Sequence, residues 1–184
     1  MIAFYLLLLC ARGIDNPFAG LDKIPVLRGY EDAKGVPRPH LYVPRDAATV
    51  LANQVFRDSA GREVYIEAYR FRPKEDIAPA IKQSLRRQAA TMPIDLPELK
   101  KDGFKISFVG NPLVLECDIV TGKVWARVQL HRKGEWHHGG VDQAKIAGEQ
   151  VRMDGVTIPF LRGFLPEIRK RAEEANRHPT ASSE

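Results

Sequence analysis

The sequence predicts an α+β domain built on an antiparallel sheet. Residues 104–131 alternate apolar and polar side chains in three consecutive segments separated by turn sequences. Apolar stripes at helical spacing lie near 75–90 and 166–177, so helices are expected to cover one face of that sheet. Thirteen prolines and fourteen glycines in 184 residues argue against a helix bundle. The length corresponds to about one domain. At 44% apolar and 28% charged residues the composition is that of a globular chain. Two cysteines exclude a disulfide framework and a zinc site built on several thiolates.

The first eleven residues, MIAFYLLLLCA, carry no charged side chain. They are too few to cross a bilayer, which takes about 20. Their length suits the apolar core of a signal peptide covering residues 1–13. Ala11 and Gly13 supply small residues at −3 and −1, which places cleavage before Ile14. No Lys or Arg precedes the apolar run, and Arg12 inside the cleavage motif is unusual. Lipidation would use Cys10, although Leu9 stands where a small residue belongs. A cytosolic protein would instead keep the segment as a buried strand. On the cleaved reading the chain is periplasmic or secreted, and Cys117 is its sole cysteine, so no internal disulfide forms.

Residues 14–46 hold Pro17, Pro25, Pro37, Pro39 and Pro44 with Gly20, Gly29 and Gly35. They read as an extended lead-in, and Phe18, Leu21, Ile24, Val26, Leu27 and Tyr30 favour its docking on the domain. A single domain is expected over 47–177, with a frayed tail at 178–184. Asp46 can cap a short helix from Ala47 to about Gln54, although Val55-Phe56 also suits the start of a strand. Ser59-Ala60-Gly61 is a turn. Residues 64–71, VYIEAYRF, are β-branched and aromatic and read as a strand. Pro73 ends it. Glu75 and Asp76 open the helix at 75–90, where Ile77, Ile81, Leu85 and Ala89 step by four.

In the meander, closing one hairpin at Gly110-Asn111 pairs Phe108 with Leu113 and Ile106 with Leu115. Closing the next at Thr121-Gly122 pairs Ile119 with Val124 and Cys117 with Ala126. Apolar side chains then face one another throughout, and Lys105, Glu116 and Arg127 align on the other face. Pro112 has no N–H for the first turn, so that loop is expected to be wider than two residues. Val151–Met153 and Val156–Ile158 flank Asp154-Gly155, which reads as a hairpin with strands near 150–158. Pro166 opens the last helix, 166–177, whose stripe is Leu165, Ile168, Ala172 and Ala175.

The chain contains no GxGxxG, P-loop, GxSxG, HExxH or CxxC sequence. What remains is a sheet face. Lys105, Lys123, Trp125, Arg127, Gln129 and His131 are expected to project together into solvent. An indole among cations can anchor a protein or hold another anionic partner. Two arrangements compete with that reading: a cover over Trp125, or neutralisation of the cations by Glu116 and Asp118. His131, His137 and His138, with Glu135, form a weaker candidate for a metal site, because adjacent residues of an extended chain point to opposite faces. Lys82, Arg86 and Arg87 form a basic helix face suited to phosphate or acidic lipid. Cys117 is expected to be a core residue. A net charge of +5 favours anionic partners without selecting one. The leading expectation is an exported, non-catalytic binding or accessory protein with no cofactor. The alternatives are a cytosolic single-stranded nucleic-acid binder on the same face and a metal-dependent hydrolase around His131 and His137. Nothing in the sequence sets the oligomeric state.

Overall fold

A computed structural model describes residues 16–33, 43, 47–87, 92–109, 114–131 and 143–178. The expected signal peptide, Cys10, most of the tail and His137 and His138 lie outside these residues.

Seven strands form one sheet, antiparallel as the alternation predicts. They are β1 (Tyr30–Asp32), β2 (Ala48–Asp58), β3 (Glu63–Phe71), β4 (Met92–Ile94), β5 (Ile106–Val109), β6 (Val114–Thr121) and β7 (Val124–His131). Their spatial order is β1-β2-β3-β7-β6-β5-β4. Four helices accompany them: α1 (Ile77–Arg87), α2 (Pro97–Lys100), α3 (Gln143–Met153) and α4 (Thr157–Arg177). The long strands occupy the centre. Both edges are three-residue strands, and Pro93 sits in β4, where a missing N–H costs no interior ladder bond.

The first face of the sheet is apolar. Val64, Ile66 and Ala68 of β3, Ala126, Val128 and Leu130 of β7, and Leu115, Cys117 and Ile119 of β6 are all buried there. They belong to one core with Leu161, Phe164, Leu165, Ile168, Ala172 and Ala175 of α4. Burial pushes the Cys117 thiol up to about 12, which suits a core residue. Residues 16–33 of the lead-in dock on the same core. Phe18, Leu21, Ile24 and Leu27 are buried in two short 3-10 turns. Asn16 Nδ2 donates to the Leu51 carbonyl at 2.6 Å. Arg171 Nη1 of α4 donates to the carbonyls of Pro17 and Ala19.

Five local expectations need correction. The segment 47–54 is not a helix. It is the first half of β2, which pairs with β3 from Ala48↔Phe71 to Arg57↔Glu63, with an irregularity between Val50 and Ala52. That long partner outweighs a local capping signal. Residues 150–158 are not a hairpin. Ala147 and Val151, four apart, are buried on one side of α3 together with Gly148. Asp154 Oδ1 then accepts from the N–H groups of Val156 and Thr157, both at 2.9 Å, and so starts α4. Pro159 falls in the first turn of α4, where its missing N–H has no intrahelical partner to lose. Pro166 lies inside the helix instead of opening it.

The helices also divide between the two faces. α4 lies on the first, whereas Ile77 and Ala80 of α1 pack with Tyr69, Phe71 and Trp125 on the second. Finally, both meander registers differ from expectation by two residues. Phe108 pairs with Leu115, Ile119 with Ala126 and Cys117 with Val128. The tight turn is Gly122-Lys123, with Gly122 at φ 55°. A shift of two keeps every side chain on its expected face.

Gly163 is where α4 meets the lead-in. A Cβ built there would lie 2.5 Å from Val26 Cγ1. Gly163→Ala is therefore expected to lower stability by about 1–2 kcal/mol, although Ala is the better helix former by about 1 kcal/mol. In a Val26→Ala background the same change should stabilise. Urea unfolding of the four chains checks both signs.

Candidate functional site

The second face of the sheet is crossed by four rows of side chains, one from each strand. The first row is Val50, Tyr69, Trp125 and Val120, and the second is Asn53, Glu67, Arg127 and Asp118. The third is Val55, Tyr65, Gln129, Glu116 and Ser107, and the fourth is Arg57, Glu63, His131 and Val114. Polar residues dominate the middle rows, yet those rows are interior. In them Arg127 is 1% exposed, and Glu67, Glu116 and Gln129 are also buried, while Trp125 of the first row is 0% exposed.

Charge pairing makes this burial tolerable. Arg127 Nε donates to Asp118 Oδ1 at 2.7 Å and Nη2 to Asp118 Oδ2 at 2.8 Å, the two-pronged geometry that suits a guanidinium. Glu116 Oε1 lies 3.3 Å from the same Nη2. Trp125 Nε1 donates to Asp118 Oδ1 at 2.9 Å, and the guanidinium carbon sits 5.1 Å from the indole centroid. Gln129 Nε2 donates to Glu116 Oε2 at 2.7 Å. Burial alone would lower the Arg127 pKa. The Asp118 hydrogen bonds, with the charges of Asp118, Glu116 and Glu67, reverse this and raise it. Burial and then the Glu67 charge push the Tyr69 hydroxyl above its usual range.

The expected solvent-facing binding surface is therefore corrected at its centre. Trp125, Arg127 and Gln129 do come together, but inside the protein. Glu116 and Asp118 neutralise the cation, and α1 packs on the row that holds the indole. Lys105 is exposed at the rim. Lys123 is half-buried, with Nζ donating to the Glu75 carbonyl at 2.6 Å and its backbone N–H to Asn176 Oδ1 at 3.0 Å. His131 is half-buried at the opposite end of β7, its ring 4.1 Å from that of Tyr65 between centroids. His137, His138 and Glu135 lie outside the described residues, as do the side chains of Arg86 and Arg87, while Lys82 is exposed. Among the described residues, no group of three or more His, Cys, Asp and Glu is placed to hold a metal ion. No helix of the described residues is long and apolar enough to cross a membrane.

One feature of this face does open to solvent. Asp76, Ile77, Ala78, Val120, Gly122 and Lys123 line a shallow cleft of about 290 Å³ where α1 begins beside the β6–β7 turn. Asp76 Oδ1 accepts the Ala78 N–H at 3.0 Å and holds the start of the helix. Val120 is 50% exposed on the cleft wall. Exposed Arg72 and Lys74 belong to the chain that leads from β3 into α1. Sequence reasoning missed this cleft. Its signal was Val120, an apolar residue at a position of β6 that alternation shares with Glu116 and Asp118.

Comparison of the chain with protein-family models, curated proteins and solved structures finds no match.

Removing the guanidinium while leaving its carboxylates should be costly. Arg127→Met is expected to lower stability by about 3–5 kcal/mol, as for other buried ion pairs that lose one partner. Denaturant unfolding measures it, and an unchanged midpoint would contradict the neutralising role of Arg127.

Proposed function

We propose that the protein is an exported accessory protein that acts by binding, and that it holds a protein partner at the cleft between α1 and the β6–β7 turn. The observation that carries this reading is Val120, a half-exposed aliphatic side chain beside Ile77 and Ala78 on a wall that ends in Lys123. An apolar floor next to a cation suits a partner segment that presents an aliphatic side chain and a carboxylate. Lys123 is the one residue of the expected binding set that lines the cleft. The interior position of Trp125 removes the aromatic platform on which single-strand binding would depend. The apolar run Met1–Ala11 supports export.

Recovered from its native cell, the chain is expected to begin at Ile14 and to carry its partner. Val120→Asp with Lys123→Glu should weaken partner capture at least tenfold while leaving the thermal midpoint within a few degrees of the parent. Equal capture by the double variant would remove the cleft from the account, and a chain that begins at Met1 would remove export.

A further inference from the structure

The end of the sheet opposite the cleft carries a different arrangement. His131 is the last residue of β7 and pairs with Glu63 of β3 on one side and Val114 of β6 on the other. Its ring lies against Tyr65 at a 34° tilt, and its Nε2 is buried without a hydrogen-bond partner. We propose that His131 is an acid-operated latch on this end of the sheet. Its neutral ring, lodged against Tyr65 with a buried Nε2, holds the ends of β3 and β7 together, and a second proton on the ring releases them.

Among the described residues, the groups that face the ring leave no acceptor committed to it. From β3, Glu63 Oε2 accepts the Tyr65 hydroxyl at 2.6 Å. Glu63 Oε1 accepts Arg57 Nε of β2 at 2.7 Å. Both carboxylate oxygens are thus engaged, and Arg57 already compensates their charge. From β6, the next residue on this face is Glu116, which accepts from Gln129 and lies beside Arg127. With a neutral imidazole the Arg57–Glu63 pair is balanced. An imidazolium adds a charge to that balance and an N–H donor at a site that offers Nε2 no acceptor. The Glu63 charge favours the imidazolium, but burial outweighs it and holds the His131 pKa below its usual value.

The sign of the pH effect follows. The unfolded chain takes up the proton at about pH 6.5, before the folded chain does. The stabilisation is complete above that pH and is lost as the pH falls below it. Glu63 moves the other way: burial raises its pKa, but the bonds from Tyr65 and Arg57 outweigh this and lower it, so its contribution fades only in the carboxylate range. The two windows are separate.

His131→Phe keeps a flat ring against Tyr65 and cannot take up a proton. Folding equilibrium constants of the full chain and this variant are to be compared from pH 8 to pH 5. The ratio of wild type to variant should be level above about 6.5 and should fall below it, by up to tenfold per pH unit. Parallel curves would overturn the proposal. Amide hydrogen exchange on the unmodified chain tests it independently of the variant. Protection at Tyr65 and His131, corrected for intrinsic rates, should drop between pH 7.5 and pH 5.5, and unchanged protection at both would overturn it.

Discussion

A guanidinium inside a protein is stable only where anions and acceptors replace the water it has lost. Arg127 sits near the middle of the sheet, and the residues around it meet that demand. Asp118 supplies two acceptors from β6, Glu116 approaches from the same strand, and Glu67 faces it across β3. Three neighbouring strands, β3, β7 and β6, are thereby tied through one side chain. Trp125 shares the Asp118 carboxylate, so the indole is held by the same anion that holds the cation. Once this row is neutral, the second face of the sheet can be closed, and the domain becomes a sheet with packing on both sides.

That closure sets where recognition can occur. With α4 and the lead-in on the first face and α1 on the Trp125 row of the second, the cleft and the His131 cluster lie at opposite ends of the sheet. One end holds the β6–β7 turn, the start of α1 and the last turn of α4, where Asn176 caps the Lys123 N–H and the Ala175 carbonyl accepts from Arg70. The other end holds the His131, Tyr65 and Glu63 cluster. The lead-in contributes to the first face alongside the helices. Its four buried apolar side chains share the core of α4. Residues 16–33 of it are a structural part of the domain.

The alternation of residues 104–131 revealed the antiparallel sheet and which side chains share a face. It could not reveal register, because a shift of two residues preserves every apolar pairing. Gly122, one of the glycines at positive φ, decides the turn in the folded chain. The segments at 47–54 and 150–158 depart from expectation for one physical reason. Asp46 and Asp154-Gly155 are local signals, and each serves more than one structure until the long-range partner is known. β3 turns the first segment into a strand, and the apolar spacing of Ala147 and Val151 turns the second into a helix. The burial of Trp125 and Arg127 was hidden more deeply. Alternating charges at Glu116, Asp118 and Arg127 describe a solvated face and a neutralised interior equally well. Only the fold shows that α1 packs on that side.

The interior position of Trp125 is what the neutral row and the packing of α1 both require. The chain has two tryptophans, so Trp136→Phe leaves Trp125 as the only indole. The emission spectrum and acrylamide quenching of that variant should be read in the native state and in denaturant. A blue-shifted emission that acrylamide barely quenches until the chain unfolds is the predicted result. A water-like emission, quenched as strongly in the folded chain as in the unfolded one, would show the second face open and contradict the account.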